Sequence, residues 1–320
     1  MNLTVEQIKS IAFGAVCTVV LEDGIHFYKC TEKQMAAWQA QSDFLGGGAR
    51  CTTGVCLDFH TDSQSFGFTP ATGGKFEIYV DGVLRRQLRA ERGKAEEMLL
   101  CDALGNPSGS YRVTLIFPSH SHGALSALRL DDGATFTAHR HDIKLLFIGD
   151  SITQGWAADY DSFSYAWRTT RHFNAHSVIQ GIGGAYYHES TFDVPDFDPD
   201  AVILAYGTND FSHYKSLTEM QVHLGAYLDL VKQAWGNKKV FVITPIWRDK
   251  RDGKAMGSFE ECRALVASEA KTRGFTVIDG LTLVPPLAVF FRDEYLHPND
   301  EGFSLYAENL VAVLDRHLKK

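Results

Sequence analysis

The rhythm of apolar residues changes once along this chain, near residue 140. Before it, short runs of β-branched and aromatic residues recur between turn signals: Ala15–Val20, Ile25–Tyr28, Val55–Phe59, Phe76–Val80 and Tyr111–Phe117. Such spacing predicts antiparallel strands folded into a sandwich. Asp81-Gly82, set between Tyr79-Val80 and Val83-Leu84, predicts a two-residue hairpin turn with positive φ at both central positions. One helix, from Glu32 to Gln39, interrupts the series. After residue 140 the strands become continuous apolar runs, Leu145–Ile148, Ala201–Tyr206 and Val240–Ile243, as expected of strands buried on both faces. Between them Met220, Leu224, Tyr227, Leu228, Val231 and Trp235 form one helical stripe over Leu217–Trp235, with Ser216 and Glu219 placed to cap its start. A last strand, Phe275–Asp279, precedes a terminal helix carrying Phe303, Tyr306, Leu310 and Leu314. Strands alternating with helices predict a parallel sheet covered on both faces. The boundaries expected are 1–140 for a jelly-roll-like β-sandwich and 141–320 for an α/β domain.

Three polar blocks interrupt the second half where strands give way to loops. Gly149-Asp150-Ser151-Ile152-Thr153 ends the first buried strand, Gly207-Thr208-Asn209-Asp210 follows the strand Ala201–Tyr206, and His297-Pro298-Asn299-Asp300 precedes the terminal helix. In an open parallel sheet these positions meet at the carboxyl edge. They offer a nucleophilic hydroxyl, an amide donor and an imidazole base, the equipment for acyl transfer through a tetrahedral oxyanion. Each residue alone has an ordinary explanation: Ser151 as a helix cap, Asn209 as a turn residue, His297 as a solvated loop side chain.

Taken with Gly181-Ile182-Gly183-Gly184, the blocks resemble the SGNH (GDSL-type) hydrolase superfamily over residues 142–320. The resemblance implies a flavodoxin-like parallel sheet with helices on both faces. It implies Ser151 as nucleophile, His297 as base, and the Ser151 N–H, Gly184 N–H and Asn209 amide as the oxyanion hole. One position departs from the family pattern, which has aspartate three residues before the histidine. Here Glu294 stands there, and a carboxylate is needed to fix the imidazole tautomer. Glu294 is the expected acid; Asp293 and a backbone carbonyl are the alternatives. A sandwich followed by such a domain also resembles certain carbohydrate esterases, which makes esters of small acyl groups, acetyl above all and on a saccharide, the expected substrates. An acyltransferase using the same serine is the rival enzyme reading. A carbohydrate-binding protein without catalysis is disfavoured by the intact Ser151, Asn209 and His297.

Composition narrows the field further. A net charge of −8 over 320 residues, with no basic run, argues against nucleic acid or anionic membrane as the main partner. The start Met1–Glu6 lacks a basic segment leading into an apolar one, so the cytoplasm is the expected location. The six cysteines then read as reduced thiols. The glycines at 181–184 do not complete a dinucleotide fingerprint, because Tyr186 stands where its third glycine belongs, and no G-K-[ST] follows any turn. No cofactor is expected. His120/His122 and His139/His141 could share strand faces but need further ligands, so no metal is expected either. Trp156, Tyr186, Tyr187, His188 and Trp247 fall in loops leaving the strands, where packing is the commoner use of such residues.

Overall fold

The computed structural model describes residues 1–101, 109–251 and 254–318. The chain divides into two compact units, Met1–Cys30 with Arg50–His141 and Thr31–Ala49 with Asp142–Lys320. The segment Thr31–Ala49, which includes the expected helix at Glu32–Gln39, belongs to the second unit.

The first unit is built from two antiparallel sheets. One runs in the order Cys17–Leu21, Gly24–Tyr28, Ala124–Leu130, Ser65–Pro70, Glu96–Leu99. The other runs Ala12–Phe13, Cys56–Thr61, Tyr111–Ile116, Gly74–Val80, Val83–Ala90, with Phe136–Ala138 also paired to Cys56–Thr61. Their inward residues, among them Phe27, Phe59, Phe66, Phe68, Phe76 and Phe117, form one buried cluster. The Asp81-Gly82 turn has the expected positive φ at both residues, 52° and 77°, and pairs Val80 with Val83.

The second unit carries a parallel sheet in the order Ala175–Gly181, Ile143–Gly149, Ala201–Ala205, Lys239–Ile243, Thr276–Ile278. This 2-1-3-4-5 order is the flavodoxin-like arrangement, with its switch point beside the first strand. Leu145, Leu146, Phe147, Val202 and Ile203 are wholly buried, as their unbroken apolar runs require. The helix Leu217–Trp235 forms with Ser216 Oγ accepting from the Glu219 N–H at 3.1 Å. The terminal helix Asp300–Leu318 stacks Tyr306 on Tyr165, ring centroids 4.0 Å apart. None of the six cysteines forms a disulfide, and no helix among the described residues is long and apolar enough to cross a membrane.

Candidate active site

At the switch point the first strand ends on Gly149, where a side chain has no room: a Cβ there would lie 2.0 Å from Thr153 Oγ1 and 3.0 Å from the Ala205 carbonyl. The chain turns at once into the short helix Ser151–Gln154. Asp150 caps it, its Oδ1 accepting from the Ile152 N–H at 2.9 Å, and Ser151 occupies the first helical position. A first-turn N–H has no acceptor within its own helix, which leaves the Ser151 amide available as a donor.

His297 reaches Ser151 from a loop 146 residues away, with Nε2 2.9 Å from Oγ. Its Nδ1 lies 2.6 Å from Asp293 Oδ2. The carboxylate bonded to the imidazole is therefore Asp293, where the sequence pattern points to Glu294. The reason is local backbone geometry. Glu294 takes a left-handed φ of 62° and an exposed position, in a loop closed by the Phe291–Pro298 bridge. The turn brings Asp293 back under the histidine, where Oδ1 accepts the N–H groups of Tyr295, Leu296 and His297 at 3.2, 2.8 and 3.0 Å. Burial alone would raise the Asp293 carboxyl. The bonds from the His297 ring and the backbone N–H groups outweigh it and hold the acid below its usual range.

The glycine loop runs alongside. Gly184 sits at φ 83°, a conformation open to glycine without strain, and the Gly183 N–H donates to Gln154 Oε1 at 2.7 Å. The sequence pattern does not single out Gln154; its place one helical turn after Ser151 is the available signal. Asn209 gives one amide N–H to the Ala185 carbonyl at 3.0 Å, which ties the second block to this loop and leaves its other amide hydrogen to donate elsewhere. Below Asn209, the buried Arg248 donates to Thr208 O at 2.8 Å and spans the Phe211 ring. Of the loop aromatics, Tyr186 and Tyr187 are buried, Trp247 packs on Phe291, and Trp156 is exposed with its ring 6.3 Å from that of His297.

Two carboxyls lie beneath the site. Burial pushes Asp150 and Asp210 up to about 7. Asp210 Oδ1 accepts the Tyr187 N–H at 3.0 Å, while Oδ2 finds no partner among the described residues. A folded value raised above the unfolded one of about 3.9 means the folded protein holds the extra proton, and stability from that group is lost as pH rises from about 4 to 7. Asp210→Asn keeps the acceptor for Tyr187 and cannot ionise. Its melting temperature relative to wild type is expected to climb between about pH 4 and pH 7 and to level off above that. Parallel melting curves across that range would show that Asp210 does not titrate there.

Two groups of described side chains stand close enough to share a metal ion, Asp58/His139/His141 and His188/Glu189/His223. In the first, Arg112 bonds both Asp58 oxygens at 3.0 and 2.7 Å, and His139 pairs with His60 at 2.9 Å. In the second, Glu189 accepts from His223 at 2.8 Å and Ser190 Oγ lies 2.9 Å from His188 Nδ1. His122 pairs with His26 at 2.8 Å. All these groups are engaged with neighbouring side chains.

Residues 147–305 match the model of the GDSL-like Lipase/Acylhydrolase family. No curated protein sequence matches the chain. Among solved structures, the salicylyl-acyltransferase SsfX3 from a tetracycline biosynthetic pathway is similar over 98% of this chain and 97% of its own, with 17% identity and a TM-score of 0.83. A family two carbohydrate esterase from Cellvibrio japonicus covers 99% and 97%, at 14% identity and a TM-score of 0.69. The acetyl xylan esterase Est2A from the rumen bacterium Butyrivibrio proteoclasticus covers 99% and 98%, at 15% identity and a TM-score of 0.63. At these identities the likeness is one of fold.

Proposed function

Because the chain belongs, through residues 147–305, to the GDSL-like lipase/acylhydrolase family of ester-hydrolysing enzymes, we propose that it cleaves esters of small acyl groups, acetyl among them, through an acyl-serine at Ser151. The observation that carries this is the relay from Asp293 Oδ2 through His297 to Ser151 Oγ, with contacts of 2.6 and 2.9 Å. His297 Nε2 takes the Ser151 proton as Oγ attacks the ester carbonyl, and Asp293 steadies the imidazolium that forms. The carbonyl oxygen becomes an oxyanion facing the Ser151 N–H, the Gly184 N–H and the second amide hydrogen of Asn209. His297 then protonates the departing alcohol. Water, activated by the same imidazole, releases the acyl group.

A saccharide as the alcohol is supported by the likeness to carbohydrate esterases along both units. Transfer of the acyl group to an acceptor alcohol is a second reading, supported by the likeness to SsfX3. Acid quenching of the enzyme during turnover of p-nitrophenyl acetate, followed by peptide mass analysis, tests the proposal. A single acetyl group on the peptide holding Ser151, with a burst of nitrophenol, is expected. Turnover with Ser151 never acylated would overturn it. Added alcohols that divert the acyl group from water to ester would favour the transferase. Asn209→Ala is expected to lower kcat by about 10²–10³ with little change in KM, since its donor acts on charge that develops only in the transition state.

A further inference from the structure

All of the helix Asp43–Arg50 except its last residue belongs to the second unit although it lies about a hundred residues upstream of Ser151. The helix before it, Glu32–Gln41, is tied to residues on either side of the glycine loop. The Gln34 and Gln180 side-chain amides bond reciprocally at 3.1 and 3.0 Å, the Tyr186 hydroxyl donates to Gln41 Oε1 at 2.9 Å, and Trp38 meets Tyr186 edge-on. A Cβ on Gly48 would stand 3.1 Å from Ile182 Cγ2, so the missing side chain is what lets the helix lie this close.

This seating carries Phe44 to the reacting serine. A point one Cβ out from Gly183 lies 3.7 Å from Phe44 Cζ and 3.9 Å from Ser151 Cβ, and the same construction on Gly184 meets Phe44 Cε1 at 3.2 Å. Leu45, next in the chain, is buried against Gly184, whereas Phe44 is 65% exposed. An aromatic ring is thus held beside the oxyanion glycines with most of its surface in water, where an apolar ligand group gains by covering it.

Resting on the esterase reading above, we propose that Phe44 is a specificity-determining residue that contacts the acyl group of the substrate and favours acyl groups with apolar carbons beyond the acetyl methyl. The acyl side follows from the proton path. The alcohol leaves towards His297, which protonates it, and the side chain beside that imidazole is Trp156. Phe44 borders the opposite partners of the carbonyl, the glycines that hold its oxygen. The substrate class that fits is a short aliphatic or aromatic acyl ester, butyryl or benzoyl in size.

The test measures kcat/KM for p-nitrophenyl acetate, butyrate and benzoate with wild type, Phe44→Ala, Phe44→Leu and Ser151→Ala. For Phe44→Ala the butyrate-to-acetate and benzoate-to-acetate ratios are expected to fall about tenfold, the low end of what one apolar contact contributes to substrate discrimination. Phe44→Leu is expected to recover the butyrate ratio. Equal ratios in wild type and Phe44→Ala, with turnover that still requires Ser151, would overturn the assignment while leaving the esterase reading intact. A Phe44→Ala effect that follows the alcohol instead, seen with acetates of different alcohols, would overturn the acyl placement. No Ser151-dependent turnover of any ester would overturn both.

Discussion

Ser151→Ala is expected to reduce ester turnover by roughly 10⁴-fold or more, leaving only what the oxyanion donors and substrate binding supply. The size of the loss follows from how much of the site converges on this one oxygen. Ser151 Oγ is the atom that His297 approaches at 2.9 Å, and alanine leaves the histidine, its acid and the glycine loop with no nucleophile to serve. The exchange removes one oxygen from a short helix fixed by the Asp150 cap, so the fold should persist. Steady-state hydrolysis of p-nitrophenyl esters at equal folded concentration checks it. A mutant retaining a tenth of wild-type turnover would place the chemistry elsewhere.

The second large effect separates neighbouring acids. Asp293→Asn is expected to lower kcat by about 10⁴, because an amide in that place can hold the ring in the wrong tautomer and does not stabilise the imidazolium. Glu294→Gln should stay within about twofold of wild type, as expected of an exposed residue in a left-handed conformation. The pH profile gives an independent reading: loss of the Asp293 charge weakens His297 as a base and shifts the acidic limb of kcat/KM, while loss of Glu294 leaves it in place. A larger loss from Glu294→Gln than from Asp293→Asn would return the orienting role to Glu294.

That choice shows where the sequence stops being legible. Ser151, Asn209 and His297 can be read as candidates because each follows a buried strand or precedes a capped helix, and the parallel sheet brings those ends together. Which acid bonds His297 is decided by the local turn at 291–298, where Glu294 takes a left-handed φ, and counting three residues back from His297 does not encode it. The strands Ser65–Pro70 and Ala124–Leu130 are obscured by Gly67 and Pro70 in the first and Gly123 before the second, which read as turns. The helix Asp43–Arg50 is hidden by Gly46-Gly47-Gly48, residues that weaken intrinsic helix preference, and it forms here because tertiary seating overrides propensity. In the sandwich the Asp81-Gly82 hairpin is legible from two residues, since few other sequences accept its backbone.

The reach of Thr31–Ala49 into the second unit also has a meaning for folding. Its contacts join residues far apart in the chain, Gln34 to Gln180 across 146 positions and Gln41 to Tyr186 across 145. Pairings so distant raise the contact order and form late, after both ends have been made and a large loop closed. A ribosome releases this segment long before Ser151, and it has no partner to pack on until the parallel sheet exists to receive it. A fragment trimmed to 147–305 keeps all the polar blocks and loses the surface that seats them, so the smallest piece recognisable as a hydrolase is smaller than the smallest piece with the complete site.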